Sequence, residues 1–284
     1  MKKSTKSSII AGVIIAVIGV VVLVCALGMS GWNFRNVNNW AHDTVTFETP
    51  VTKIEIKANY GQVVLKQGLV DVTTVNYEYD DKHRPEIALN EDGLLKIHTA
   101  HRGWNEFDYW FEDAPTIEVY LPAEVDLVVV DMQLNAGRID FGDGYWGSVV
   151  DVELNAGSIS FGNVSMGDLH LDINAGALDA YKIQCHKLTC QLSAGAFSVK
   201  EVSCDAFDCD ISAGGVTVKK LDSSQITLDV SAGSAELGLA GAQSEYRISV
   251  SKSAGSCNVS NQYGTVRTLT VDISAGSVDI TFGK

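Results

Sequence analysis

From Val150 onward the chain alternates apolar and polar residues: Val150, Val152 and Leu154, then, past a glycine, Ile159 and Phe161. Alternation with period two puts successive side chains on opposite faces of an extended chain, and so predicts strands with one buried face. The phrase returns as Leu169, Leu171 and Ile173 followed by Leu178 and Ala180, and as Phe207, Cys209 and Ile211 followed by Val216 and Val218. Across each glycine the inward parity moves by one residue, as a bend or bulge between two strands would produce. The alanine before each glycine continues the alternation and is expected to point inward, a small side chain at a crowded corner.

These phrases are spaced almost evenly. An Asn-Ala-Gly or Ser-Ala-Gly tripeptide begins at Asn135, Asn155, Asn174, Ser193, Ser212, Ser231, Ser253 and Ser274, with spacings of 20, 19, 19, 19, 19, 22 and 21 residues. A degenerate ninth copy, Asn59-Tyr60-Gly61, lies upstream. Each unit reads as strand, corner, strand and return turn, which cannot bury its apolar face alone. Stacking in register solves this and predicts an all-β fold, a β-solenoid of the single-stranded β-helix type. Gly137, Gly157, Gly176, Gly195, Gly214, Gly233, Gly255 and Gly276 are its expected structural corners, with the outward Asn and Ser forming a hydrogen-bonded ladder between coils. The regular repeats are assigned to residues 126–284, and residues 46–125 to irregular first coils that cap the solenoid. The last copy ends at Val278, Ile280 and Phe282 with no polar cap after it. That end is expected either to self-associate or dock a partner through the C-terminal coil, or to be protected by side chains and short strands.

The N-terminus departs from this pattern. No charged residue lies between Ser7 and Phe34, and Ile9 to Gly28 is an apolar run long enough to cross a bilayer as a helix. Lys2, Lys3 and Lys6 precede it, which by the positive-inside rule gives a cytoplasmic tail at 1–8, a transmembrane helix at 9–29, a juxtamembrane linker at 30–45 and an extracytoplasmic body anchored in the cell membrane. A cleaved signal peptide ending near Ala26-Leu27-Gly28 is the competing reading. The formal charge is −14, and −17 once the three leading lysines are set aside, so nucleic acid is excluded as a partner.

The Asn/Ser-Ala-Gly corners, the strand segment Thr52 to Leu65 and the segment Ile117-Glu-Val-Tyr-Leu-Pro122 together resemble the bacterial putative-adhesin domain known as toastrack, over about residues 45–284. The resemblance implies display outside a bacterial membrane, adhesion or envelope-stress sensing, and no catalytic residues or cofactors.

Read for chemistry, the chain offers one cluster that suits a ligand. Trp104, Phe107, Tyr109, Trp110 and Phe111 are interleaved with Glu106 and Asp108, a mixture that can stack on and hydrogen-bond a sugar or hold a cationic peptide, or simply pack over the open end of the core. Partners of the class surface glycan or envelope protein follow. Cys185 and Cys204, like Cys190 and Cys209, are 19 residues apart and fall in adjacent coils, where each pair either bridges or remains as two small apolar thiols. The C-x4-C spacings beside His186 lack a zinc knuckle, His98 and His101 read as solvated, and Phe141-Gly-Asp-Gly144 is not continued as a calcium repeat. The opposing functional class is a polysaccharide-active β-helix enzyme, which needs a carboxylate pair on consecutive coils. The aligned set Asp140, Ser160, Asp179 and Ser198 does not supply one.

Overall fold

The computed structural model describes residues 40–79, 84–99 and 114–283. The stretches Trp40–Ala100 and Pro115–Lys284 form one compact unit. Ile9–Gly28 lies outside the described residues, and among those described no helix is long and apolar enough to cross a membrane.

The unit is built from β1 (Ala41–Phe47), β2 (Lys53–Val70), β3 (Thr73–Tyr79), β4 (Glu86–Leu89), β5 (Leu94–His98) and β6 (Thr116–Pro122). These are followed by β7 (Val129–Phe141), β8 (Gly144–Tyr145), β9 (Val149–Ser165), β10 (Asp168–Gln184), β11 (Lys187–Leu239), β12 (Tyr246–Cys257) and β13 (Arg267–Phe282). β7, β9 and β10 are single coils stacked in parallel, each residue beside its counterpart in the next coil. β11 is 53 residues long because it winds on without a break, its Gly195, Gly214 and Gly233 stacked one over another.

A coil has three strand runs, one more than the repeat predicts. Between β9 and β10 the pairing covers 168–173, 175–180 and 182–184, with gaps at the corner Asn174 and again at Tyr181. The short third run buries Val164, Ile183 and Val202 and closes the core on its open side. Inside, like stacks on like: Leu154, Ile173 and Leu192 form one fully buried row, and the Phe141 and Phe161 rings lie 4.8 Å apart. Each such aliphatic side chain contributes about 1.5–3 kcal/mol by leaving water.

The corner alanines correct the expectation from alternation. Ala136, Ala156, Ala175, Ala194, Ala213, Ala232, Ala254 and Ala275 are all exposed. The parity shift is absorbed by turning two consecutive residues, Asn or Ser and then Ala, outward on the convex side of the bend. Crowding falls on the glycine instead. A Cβ at Gly195 (φ +144°) would lie 1.8 Å from the carbonyl oxygen of Gly176, and one at Gly157 (φ +128°) equally close to that of Gly137. Any side chain there would push adjacent coils apart.

At both ends the spatial order departs from the chain order. The strands run β1-β3-β6-β2-β7-β9-β10-β11-β13-β12 across the sheet. At the first end β5 and β6, although later in the chain, stack on the two halves of β2 as the coil before it. Antiparallel β3 and β1 extend from β6, and β4 from β5. β1 begins at Ala41, so residues 41–45 are strand and not linker. Arg84 ties this end together, donating to Asp43 of β1 and to the Tyr77 hydroxyl of β3.

At the other end the final copy of the repeat is not the terminal coil. β13 lies between β11 and β12, in register with both. The chain steps over one coil position through a 3-10 turn at Gln243–Glu245, forms β12, and returns to fill the gap. The layer at Val278 and Ile280 is therefore buried, which removes the expected docking face at those residues. The outer edge of β12 is protected in turn. Ile248 exchanges backbone hydrogen bonds with Gln262 (2.9 and 3.0 Å), and the Asn261 side chain accepts from the Val250 amide. Where β12 stops, the Asn258 amide group takes over as a strand edge, accepting from the Ile280 N–H at 2.9 Å and donating to the Ile280 carbonyl at 2.8 Å.

Candidate functional site

Strands in exact register turn each outward position into a column, one side chain per coil, about 4.8 Å apart. On the run preceding the corner, one column holds Glu55, Asp131, Asp151 and His170, and its neighbour holds Gln133, Glu153, Asp172 and Gln191. Between them runs a shallow groove of about 280 Å³. His170 Nδ1 lies 3.9 Å from the Asp151 carboxylate. Burial pushes the Asp131 carboxyl above its ordinary pKa, and Glu55, Asp151 and Glu153 add to this against the opposing charge of Lys57. The Thr189 hydroxyl in the same groove is buried without a hydrogen-bond partner. Further along, Asp229 is raised by burial and by Asp210 and Asp272, its neighbours in the same column. Carboxylates held this close favour whatever neutralises or hydrogen-bonds them.

One end of the groove is already satisfied from within. Burial opposes ionisation of Glu55, but a hydrogen bond from His98 at 2.7 Å and the charges of Lys57 and Lys96 outweigh it and hold its pKa low. His98 is thus a hydrogen-bond partner of Glu55, not a free solvated side chain.

The corner glycines stack as described, and the ladder beside them is real for its first half. Asn135 donates to Asn59, Asn155 to Asn135 and Asn174 to Asn155 at 2.8–2.9 Å, while Ser193 reaches Asn174 only at 3.4 Å. An amide spans the gap between coils and a hydroxyl barely does, which gives the change from Asn to Ser a structural meaning. Asp143 does local work too: it accepts from the Asn163 backbone and side chain, which lowers its pKa.

Trp104, Phe107, Tyr109, Trp110 and Phe111 lie outside the described residues, as does His101. On the described residues that flank them, the Thr99 N–H donates to the Lys57 carbonyl and the Pro115 carbonyl accepts from the Gln62 N–H.

Among the described residues no cysteine bridge is formed. Cys185, Cys190, Cys204 and Cys209 are buried free thiols. Cys185 hydrogen-bonds Cys204 across coils; this bond and burial raise the pKa of Cys185, while the same bond lowers that of Cys204 against the opposing effect of burial. Cys209 is raised by the same contact to Cys190. Stacked side chains that point the same way make a contact more easily than a covalent bridge. Asp140, Ser160, Asp179 and Ser198 do align in one column, so the two carboxylates are separated by a serine coil. Among the described residues no group of three or more metal-ligating side chains gathers. The acidic columns are what motif searching passed over. Their signal was spacing alone: Glu153 and Asp172, like Asp210 and Asp229, are 19 residues apart.

Coils stacked in register, with side chains ranked in columns along open faces, define a parallel β-solenoid. The chain belongs to the toastrack family DUF4097, whose profile matches residues 51–284. No curated protein matches it. Among solved structures it is similar to a putative adhesin of Bacteroides fragilis (9% identity, 86% of this chain and 98% of that one, TM-score 0.44). Another putative adhesin, from Parabacteroides distasonis, aligns at 9% identity over 85% and 97% of the two chains with a TM-score of 0.40. A protein of the same species described as a putative lipid binding protein aligns at 12% identity over 85% and 97%, TM-score 0.35.

Proposed function

We propose that this protein is a non-enzymatic, adhesin-like or envelope-stress-sensing module, held at the outer face of a bacterial membrane by its N-terminal helix and binding a surface glycan or envelope protein along its ladder faces. The observation that carries the reading is the open groove over Asp131, Asp151, Glu153 and Asp172. It is a built surface of aligned acceptors with an unpartnered hydroxyl at Thr189, shallow and open to water, which suits recognition along an extended partner better than chemistry in a closed pocket. The family match and the adhesin descriptions of its structural neighbours agree with such a role.

A glycan array and a set of purified envelope proteins, probed with the full chain alongside a hydrolysis assay, test the function. Binding without turnover is expected, weakened by Glu153→Gln with Asp172→Asn. Turnover of any arrayed glycan would move the protein to the enzyme class. For topology, protease added to intact cells is expected to digest the body, and full protection would reverse the orientation.

A further inference from the structure

The second corner of the coil, at Tyr181, is chemically unlike the rest of the surface. Five lysines and no arginine occur between Gly144 and Asp222, and four of them gather here: Lys182, Lys200, Lys219 and Lys220. Tyr181 and Lys200 hold the same position in adjacent coils, because Ala180 pairs with Val199 and Lys182 with Glu201. Lys219 follows one period later, so Tyr181, Lys200 and Lys219 form a single file along the axis. Beside them Glu201 lies between Lys182 (3.7 Å) and Lys220 (3.4 Å), one carboxylate shared by two cations. Lys219 meets Glu236 at 3.1 Å, both largely exposed, a pair that water keeps weak. Lys200 takes the Tyr181 hydroxyl at 3.0 Å instead of a carboxylate, with its ammonium 4.2 Å from the ring centre. Tyr181 itself is 53% exposed, and Gly162, with no side chain, holds its position one coil earlier.

This file borders a hollow of about 330 Å³ whose other wall is Ser160, Asp179 and Ser198. The hollow thus sets an exposed aromatic ring, two ammonium groups in line and a row of hydroxyl and carboxylate side chains around one space. A ring that is apolar on its face and polar at its tip suits the C–H face of a sugar, ammonium groups suit carboxylates as point charges, and serine and aspartate suit sugar hydroxyls.

We propose that this corner is a binding subsite for a linear carboxylated polysaccharide running along the solenoid axis, with Tyr181 stacking on one sugar, Lys200 and Lys219 pairing with successive carboxylates, and Ser160, Asp179 and Ser198 engaging hydroxyls. The assignment rests on the reading of the protein as a binding module and names one ligand class and one site for it. The charge of the surroundings adds selectivity, since a polyanion is repelled by the acidic faces and attracted to the lysines of this corner.

The test is calorimetric titration of the full chain in detergent micelles with polygalacturonate, with neutral dextran and polyphosphate as comparisons. Polygalacturonate is expected to bind, more weakly as salt rises, and dextran and polyphosphate at least about tenfold more weakly, a difference near 1.4 kcal/mol. Lys200→Glu with Lys219→Glu should raise the Kd at least tenfold, and Tyr181→Ala by severalfold with the salt dependence unchanged. All three side chains are exposed, and circular dichroism of each variant verifies the fold. Unchanged affinity in the lysine variant, or dextran or polyphosphate binding as tightly as polygalacturonate, would overturn the subsite. If the wild type binds other arrayed glycans or envelope proteins while these substitutions change nothing, the subsite fails and the proposed function stands. If it binds none of them, the function itself fails.

Discussion

The middle of the solenoid and its two ends are made of the same strand phrases but assembled by different rules. From β9 through β11 each coil rests on the one synthesised just before it, at a spacing of 19 or 20 residues. At the ends β5 and β6 stack beneath a β2 that precedes them, and β13 slides between β11 and β12. Regular repetition makes coils interchangeable, so it needs some irregular element to say where the stack begins and stops. Here both boundaries are set by inserting a late strand into an early gap.

The largest effect that would break this contrast comes from removing residues 267–284. Were β13 an end coil, the loss would be local. As an inserted coil it takes with it buried Leu269, Val271, Ile273, Val278 and Ile280 and strips β12 of its partner, a loss on the order of 10 kcal/mol of burial. Hydrogen exchange is expected to show Tyr246–Cys257 unprotected in the truncated chain. Deleting the interior period 187–205 should instead leave a folded, shorter stack, because Ala206 then takes the place of Lys187 in register. If β12 stays protected after truncation, or the shortened stack fails to fold, the contrast is wrong.

Within the regular part, Gly195→Val should cost about 3 kcal/mol or more, since a Cβ at φ +144° would strike the Gly176 carbonyl. Ala194→Val, one residue away and outward, should stay within about 0.5 kcal/mol in urea denaturation. Smaller again is Asn258→Ala at the irregular end, which leaves the Ile280 N–H and C=O unpaired and should lower stability by about 1–2 kcal/mol.

The smallest effect is electrostatic. Asp229 has a raised folded-state pKa from burial, Asp210 and Asp272. Its proton is held more tightly folded than unfolded, so this group favours folding most below the unfolded value of about 3.8 and loses that contribution as pH rises through the folded value. Asp229→Asn is therefore expected to stabilise at pH 7 by about 0.5 kcal/mol or less, given its exposure, with the gain shrinking on acidification toward pH 4. A gain that grew on acidification would reverse the sign.

These comparisons also mark how far the sequence could be read. Coil length, the corner glycines and the buried rows are local properties of the phrase, and alternation exposes them. The order of coils is not local. Leu269, Val271 and Ile273 fit against any neighbouring coil equally well, because all present the same edge. Only the spacings of 22 and 21 departed from the rule there, and they do not by themselves say which strand lies between. The outward alanines were misread for a related reason: alternation is a rule for straight strands, and it lapses at the bend that the glycine creates. The acidic groove and the lysine file were invisible to motif search because their members are a full period apart, joined by stacking and not by sequence proximity.

The position of β13 also bears on how the chain comes into being. A polypeptide is made from its N-terminus, and a simple stack could close behind itself coil by coil as it grows. This one cannot finish that way. Until Phe282 has been added, β11 and Tyr246–Cys257 face each other across a slot one strand wide, each with an unpaired edge. Completion is a single late event that joins two surfaces at once, so this end of the stack becomes stable only once β13 has been made.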